Sequence, residues 1–517
     1  MTTAYPMRLV SVLSPHPAAS GTSPPPSEDA PYFPDLAIDR ILDAVLKSYE
    51  PYELRVFFQQ VPHQQDVIEY RHAILTDLAT EKLGNAVRAF RDNMRNVRQN
   101  LDLAQKSFNQ YQAAFYALLA IRDYCESVRQ LDTSFGAARP HATGLVALHQ
   151  ALHAYVAAPE FVNLAAQAQH HHDALASICY TVLLNDSTLT VRGFEDEPDY
   201  NAVIQKLFAR FQPSVPPKST PKSRETGVWI GNVQSQILDG VAQINQDIFT
   251  ALCSFTAHDN DFIDPVLSRF EREAQFYLAW IDFTARLSAS GLRFSLPTLV
   301  NTHEIHATDA FDLALAAKLC DTGKSLVTND FYLEKAERIF VISGPNQGGK
   351  TTFARTFGQM HYFANLGLSV PGENVQLQFF DRIFTHFERE EALTALHGKL
   401  YDDLVRVHAI LESATADSLI ILNEIFNSTA LKDALFLADK VLRKVIEIGA
   451  LGVCVTFMDE LASLGPQTVS MTSMVDPDNP AKRSFHVVRR QADGLAYALS
   501  IAKKYGVTYQ QLKERLT

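Results

Sequence analysis

The stretch VISGPNQGGKTTF, residues 341–353, restricts the fold more than any other part of the chain. An apolar run of strand length stops at Gly344, a polar loop carries Gly348 and Gly349, and helix-compatible text begins near Thr351. Gly, four residues, then Gly-Lys-Thr is the phosphate-loop (Walker A) spacing, and it lies where that loop must lie, between a buried strand and a helix. Glycines at 344, 348 and 349 let backbone N–H groups point inward without side-chain obstruction. The positive end of the following helix favours anions, and Lys350 adds a full charge for the outer phosphates. Gly344, Pro345, Asn346, Gln347, Gly348, Gly349, Lys350, Thr351 and Thr352 are therefore expected to bind a nucleotide, with the Thr351 hydroxyl on a magnesium ion.

A loop of this kind works with a second apolar strand, expected beside the first and ending in an acidic residue that handles magnesium and water. SLIILNE, residues 418–424, supplies the strand, but Asn423 stands where the usual aspartate would be, and only Glu424 is acidic. An amide oxygen can hold a magnesium-bound water, without the negative charge that strengthens the hold. Glu424 is expected to orient or deprotonate the attacking water, and Lys350 is the second catalytic candidate. Thr351, Asn423 and Glu424 are the expected magnesium contacts, directly or through water. ATP and Mg2+ are the expected cofactors.

The text around the loop has the matching texture. RIFVISG, DRIFTHF, SLIILNE and LGVCVTF alternate with helical segments such as ALKDALFLADKVLRKVIEIG, the pattern of an α/β domain with a largely parallel buried sheet over 301–517. Gly449 reads as the cap that ends that helix. Residues 32–300 read as helices: Val87, Phe90, Met94, Val97, Leu101 and Ala104 recur at steps of three and four and form one packing stripe. SICYTVLLNDSTLTVRGF (177–194) reads as a β-hairpin, and the proline-rich FQPSVPPKSTPKSRETG (211–227) as a linker carrying Lys218, Lys222 and Arg224. Hairpin and linker form an insertion around 180–227 between two helical halves. Residues 1–31, rich in proline, serine and alanine from residue 13 onward, are expected to be a disordered leader.

Bulk properties add limits. The net charge of −12 does not advertise nucleic acid, although a local basic stripe is compatible with it. Cys125, Cys179, Cys253, Cys320 and Cys454 are scattered and odd in number, which points to free thiols in a reducing compartment, read here as the cytoplasm. No apolar run reaches the ~18 residues of a membrane span. His170, His171 and His172 point in different directions on a helix and read as a polar patch. No cysteine or acidic pair sits at ligand spacing to that run, and His149 and His153, four apart on one helix face, are interleaved with core leucines in LHQALHAYV, which disfavours a metal site there as well.

GPNQGGKTT, followed in order by GLSVP, DRIFT, ILESATADSLIILNEI, TFMDELASLG and ADGLAYALSIAKKYGV, resembles the ATPase domain of the MutS mismatch-repair family. The resemblance runs through most of 340–517, and the helices from IDRILDAVL onward resemble, more weakly, that family's core and lever helices, with the insertion in the place of its DNA-holding clamp. It implies an ABC-type P-loop ATPase domain at the C-terminus, preceded by an all-α core and lever region with a small β-containing clamp-like insertion. It also implies a homodimer that closes on ATP, with DNA held through its backbone. Asn346, Lys350, Thr351, Glu424 and Thr429 match the family pattern. The departures are Asn423, Gly398 near the position of the signature serine with Lys399 beside it, Phe457 in place of a histidine, and the lack of a GDFYE-like stretch near the N-terminus. These imply slow turnover without direct mismatch reading. DNA contacts would come from Lys218, Lys222, Arg224, Arg88, Arg91, Arg95 and Arg98. The alternative is a slow or inactive nucleotide-gated scaffold that holds a protein partner instead of DNA.

Overall fold

The computed structural model describes residues 10–16, 29–185, 188–195, 232–258, 261–320, 322–388, 398–475, 483–491 and 513. The chain divides into two compact units, one of residues 1–8, 81–140 and 146–271, the other of 9–80, 141–145 and 272–517. A linear boundary at residue 300 therefore does not describe the packing: residues 9–80 belong with the α/β portion.

In the first unit the helices Glu81–Lys106 and Gln110–Ala138 pack along one another, and Asn109 caps the second through bonds from the Tyr111 and Gln112 N–H groups at 2.9 and 3.2 Å. Val87, Phe90, Met94 and Val97 are buried, as their spacing requires. Strands Tyr180–Asn185 and Thr188–Gly193 pair antiparallel, so the hairpin forms, and helix Asn232–Ile244 brings Gly240 against Val191.

The second unit holds a six-stranded sheet. Its strands are β1 (Ile339–Ser343), β2 (Ile383–Phe387), β3 (Leu419–Asn423), β4 (Leu451–Val455), β5 (Thr468–Val475) and β6 (Arg483–Arg489), in the order β2-β3-β4-β1-β5-β6. The first five are parallel, and β6 pairs antiparallel with β5. The four apolar runs are thus strands, with one correction: β3 does not lie beside β1, because β4 is inserted between them. Pairing order is set by tertiary packing on both sheet faces, which a local pattern does not encode.

Alternation along the strands sorts the two faces. Ile339, Val341, Ile420 and Leu422 join the core formed with α2 (Lys399–Ser413) and α3 (Leu431–Ile448). On the other face Phe340 meets Phe353 and Phe357 of α1 (Lys350–Asn365), and Gly358 packs on Ile421. Gly449, at φ 86°, ends α3.

The leader is also corrected in part. Val12 and Leu13 are buried, and the Glu273 carboxylate accepts the Ser11 hydroxyl and the Val12 N–H, each at 2.8 Å. Two apolar side chains and a carboxylate that satisfies their backbone suffice to order residues 10–16.

α1 buries a titratable group below the phosphate loop. Solvent does not reach His361, whose Nδ1 lies 2.8 Å from the Phe357 carbonyl; burial pulls its pKa down to about 4, with that bond opposing. A depressed histidine stays neutral in the fold while the unfolded chain takes up the proton. Stability is therefore full above about pH 6.5 and falls toward pH 4 by about 1 kcal/mol per unit for this group. Urea unfolding at about pH 7 and about pH 5 should show a smaller acid loss for His361→Gln than for wild type. Equal losses would remove His361 from the acid response.

Candidate functional site

The site is built on β1. All five of its residues are buried, and hydrogen bonding to β4 on one edge and β5 on the other fixes where the following loop begins. Gly344 (φ 114°) and Gly349 (φ 95°) carry the chain through the left-handed region that glycine adopts without strain. Ser473 of β5 supports the loop from behind. Its hydroxyl donates to the Gly348 carbonyl at 2.7 Å, and a Cβ on Gly348 would lie 2.1 Å from that hydroxyl oxygen. A Cβ on Gly344 would lie 2.9 Å from the Ser473 carbonyl. Glycine is thus required here by the close approach of β5 as well as by any ligand.

Lys350 opens α1, and most of its side chain is out of solvent. Its ammonium donates to the Gly344 carbonyl at 2.9 Å and the Pro345 carbonyl at 3.1 Å, and the centre of the Phe457 ring lies 4.6 Å away. Burial pulls the Lys350 pKa below the ordinary lysine value; Glu424 pushes it up and Arg483 adds to the lowering. The Thr351 hydroxyl donates to Asn423 Oδ1 at 3.0 Å, so the residue after the lysine reaches the end of β3 across the inserted strand. Pro345 is buried and Asn346 and Gln347 are exposed at the loop tip; the Thr352 carbonyl accepts the Thr356 hydroxyl within α1.

Glu424 directly follows β3 in a left-handed conformation, φ 58°. Its N–H donates to the Val455 carbonyl at 2.9 Å, and Asn427 donates to its Oε2 at 3.3 Å. A non-glycine residue held there costs of order 1 kcal/mol, a strain that β4 and Asn427 hold in place at a carboxylate. The structure therefore gathers Lys350, Thr351, Asn423 and Glu424 around one loop. The glycine turn, the helix that starts at Lys350 and the ammonium itself are groups of the kind that hold a phosphate. A hydroxyl, an amide oxygen and a carboxylate are oxygen donors of the kind a hard divalent cation takes, and two of the three are neutral.

The positions that depart from the family pattern have definite settings. Gly398 precedes α2 in an extended conformation, and the Lys399 ammonium pairs with Glu388 of the same chain. Phe457, two residues past β4, is 45% exposed.

Three residues at the loop have no local sequence signal. They are Ser473, Arg483, whose Nε donates to the Asn346 carbonyl at 3.0 Å, and Asn329. Asn329 donates to the Phe485 carbonyl at 3.3 Å and accepts the Val487 N–H at 2.7 Å, which holds β6 beside Gly349. Only the strand-like texture of TVSMTSMV could have hinted that Ser473 faces the loop.

Elsewhere, His149 and His153 both meet Asp132, at 3.5 and 3.2 Å, and no cluster of three or more His, Cys, Asp or Glu side chains that could hold a metal occurs among the described residues. Arg98 is engaged by the buried Glu271 at 2.6 Å and Arg91 by Asp92 at 2.9 Å, so these two arginines already serve their own unit. Lys218, Lys222 and Arg224 lie outside the described residues.

Residues 340–514 match the family model of MutS domain V. Over 189 residues the chain is 31% identical to the endonuclease MutS2 of Thermus thermophilus, a match covering 36% of this chain and 25% of that protein. Over 190 residues it is 30% identical to the DNA mismatch repair protein MutS of Thermotoga sp. (strain RQ2), covering 36% and 24%. The DNA mismatch repair protein MutS of Leuconostoc citreum matches at 26% over 248 residues, covering 47% and 28%. The first two matches span about a quarter of the length of those relatives.

Titration with a fluorescent ATP analogue tests the cradle. Lys350→Ala should lose at least about tenfold in affinity, since a charge-assisted contact is removed. Gly348→Ala should lose about as much, because its Cβ cannot coexist with the Ser473 hydroxyl. Unchanged affinity in both would show that the phosphates bind elsewhere.

Proposed function

We propose that this chain, which belongs to the MutS family through its ATPase domain, binds ATP in the cradle of residues 344–352, hydrolyses it slowly, and uses the nucleotide in DNA repair or recombination. The observation that carries the reading is the convergence of Lys350, Thr351, Asn423 and Glu424 on one glycine cradle.

In this reading the backbone N–H groups of the loop and the positive end of α1 hold the phosphates, and Lys350 leaves its two carbonyls to neutralise the outer ones. Thr351 and Asn423, with Glu424 near, would hold a magnesium ion, which would supply charge neutralisation at the phosphates. Glu424 orients the attacking water and accepts its proton. Asn423 and Phe457 each remove a charged or proton-bearing group from the region where negative charge develops, so binding outlasts chemistry.

Two copies would face each other, the segment that begins at Gly398 of one closing over the nucleotide of the other, with ATP favouring the closed pair. Phe457, whose ring centre lies 4.6 Å from the Lys350 ammonium, is 45% exposed, and this supports a cover for the site's mouth. DNA would be held through backbone phosphates rather than mismatched bases, and salt would weaken it steeply. The setting proposed is the cytoplasm, on the scattered free cysteines; separately, among the described residues no helix is long and apolar enough to cross a membrane.

A second reading is a nucleotide-gated scaffold with a protein partner. The Phe457 ring favours it, since it presents an apolar face to the Lys350 ammonium.

Phosphate release measured with plain, mismatched and branched duplex DNA across a salt series separates the two. ATPase stimulated by one DNA form, and lowered by about a hundredfold in Glu424→Gln, supports the first reading. Release that is indifferent to every DNA and equal in Glu424→Gln would select the scaffold.

A further inference from the structure

Residues 10–16 belong to no helix or strand, yet side chains take three consecutive carbonyls of this segment. The Tyr70 hydroxyl donates to the Ser11 carbonyl at 2.5 Å, the Tyr277 hydroxyl to the Val12 carbonyl at 2.5 Å, and Arg71 Nε to the Leu13 carbonyl at 2.9 Å. The Glu273 carboxylate accepts the Val12 N–H and the Ser11 hydroxyl. Tyr70 and Arg71 stand on the helix Gln65–Leu78, and Glu273 and Tyr277 lie one turn apart on the helix Pro265–Ser288. Arg71 and Glu273 are buried, as are the Val12 and Leu13 side chains. The segment thus offers a carbonyl to a buried cation and an N–H to a buried anion, which is recognition of a peptide by side chains and not by strand pairing.

The same two helices hold the far end of α1. Arg71 Nη1 donates to the Leu366 carbonyl at 3.0 Å, just past the last turn of α1, where a cation suits the helix end. Gly367, at φ 78°, makes room for it, since a Cβ there would lie 2.5 Å from the Arg71 Cβ. Trp280, two turns along from Glu273, donates to the Ser369 hydroxyl at 3.0 Å, and its ring centre lies 4.5 Å from that of Phe363 of α1.

We infer that Tyr70, Arg71, Glu273 and Tyr277 form a peptide-binding site for a Ser-Val-Leu sequence, that residues 11–13 are its ligand in cis, and that its occupancy steadies the end of α1, the helix that Lys350 opens. The inference goes beyond the nucleotide reading and does not depend on it. Residues 17–28, PAASGTSPPPSE, contain no large apolar side chain, and the chain continuity they provide gives the cis ligand a high effective concentration. A free peptide therefore enters only once that continuity is cut. An empty site would leave Arg71 and Glu273 buried without the peptide groups that meet them, a costly state for buried charges.

The test uses the full chain with a protease site inserted after Gly21 and cut once the protein is folded. The cut N-terminal fragment should stay bound through gel filtration. A fluorescent peptide of residues 10–16, VSVLSPH with both ends blocked, should exchange into its place, seen as a rise in anisotropy. The same peptide with Val12→Asp should bind at least about tenfold more weakly, because it would bury a charge, and a change in the peptide leaves the protein's folding untouched. Glu273→Gln in the protein should weaken the native peptide by a similar factor. With the fragment washed off in mild urea, the amides of residues 362–367 should take up deuterium at least about threefold faster than in the uncut chain, and added peptide should reverse this. Failure of the native peptide to enter, whether the fragment stays or leaves, overturns the site, and so does equal binding of the native and Val12→Asp peptides. Deuterium uptake at 362–367 that is the same with the site empty and filled overturns the link to α1.

Discussion

The buried ammonium of Lys350 is the constraint on which the rest of the second unit's architecture depends. A lysine taken out of water must be met by acceptors, and here the Gly344 and Pro345 carbonyls meet it. Those carbonyls can turn toward the lysine only because the chain passes through left-handed conformations at Gly344 and Gly349. That path in turn leaves room for nothing but glycine beneath Ser473. The close approach of β5, the glycines of the loop and the placement of the charge are one packing solution. A glycine-rich turn ahead of a helix, with a lysine at the first helical position, is the arrangement that the proposed anion site requires.

The same solution explains why the second strand of the motif works across a gap. β3 reaches the loop not by pairing with β1 but by ending level with it, with β4 between as a spacer. Asn423 and Glu424 project from that end, and the strained turn at Glu424 is stitched to β4 by the bond to Val455. The spacer therefore sets the span across which Thr351 and Asn423 meet.

Much of this is legible in the sequence, for a physical reason. The strand, loop and helix of residues 339–365 are adjacent in the chain, so spacing alone conveys their arrangement. The amphipathic stripe of 87–97 and the paired strands of 180–193 are local for the same cause. What is not legible is what the fold brings together over long distances. Ser473 lies 125 residues from Gly348 and Arg483 137 residues from Asn346, and nothing in either neighbourhood marks it as part of the loop. The order of the parallel strands is hidden because each is an apolar run buried on both faces, interchangeable by composition. Residues 10–16 have the composition of a leader, while the Glu273 carboxylate that orders them is more than 260 residues away.

The contrast between local and distant support bears on how binding and chemistry would be divided within the proposed site. In the function proposed, binding would rest on backbone groups and on Lys350, which the packing around β1 and β5 holds. Hydrolysis would rest on side chains at the ends of β3 and β4, where Asn423 accepts from Thr351 as an aspartate could and Phe457 sits half exposed past β4. A change at such positions alters the charge that the leaving phosphate meets while leaving the loop's geometry intact. Neutral residues at 423 and 457 are therefore compatible with an intact loop, and the slow turnover proposed for this chain would arise at the strand ends and not in the fold.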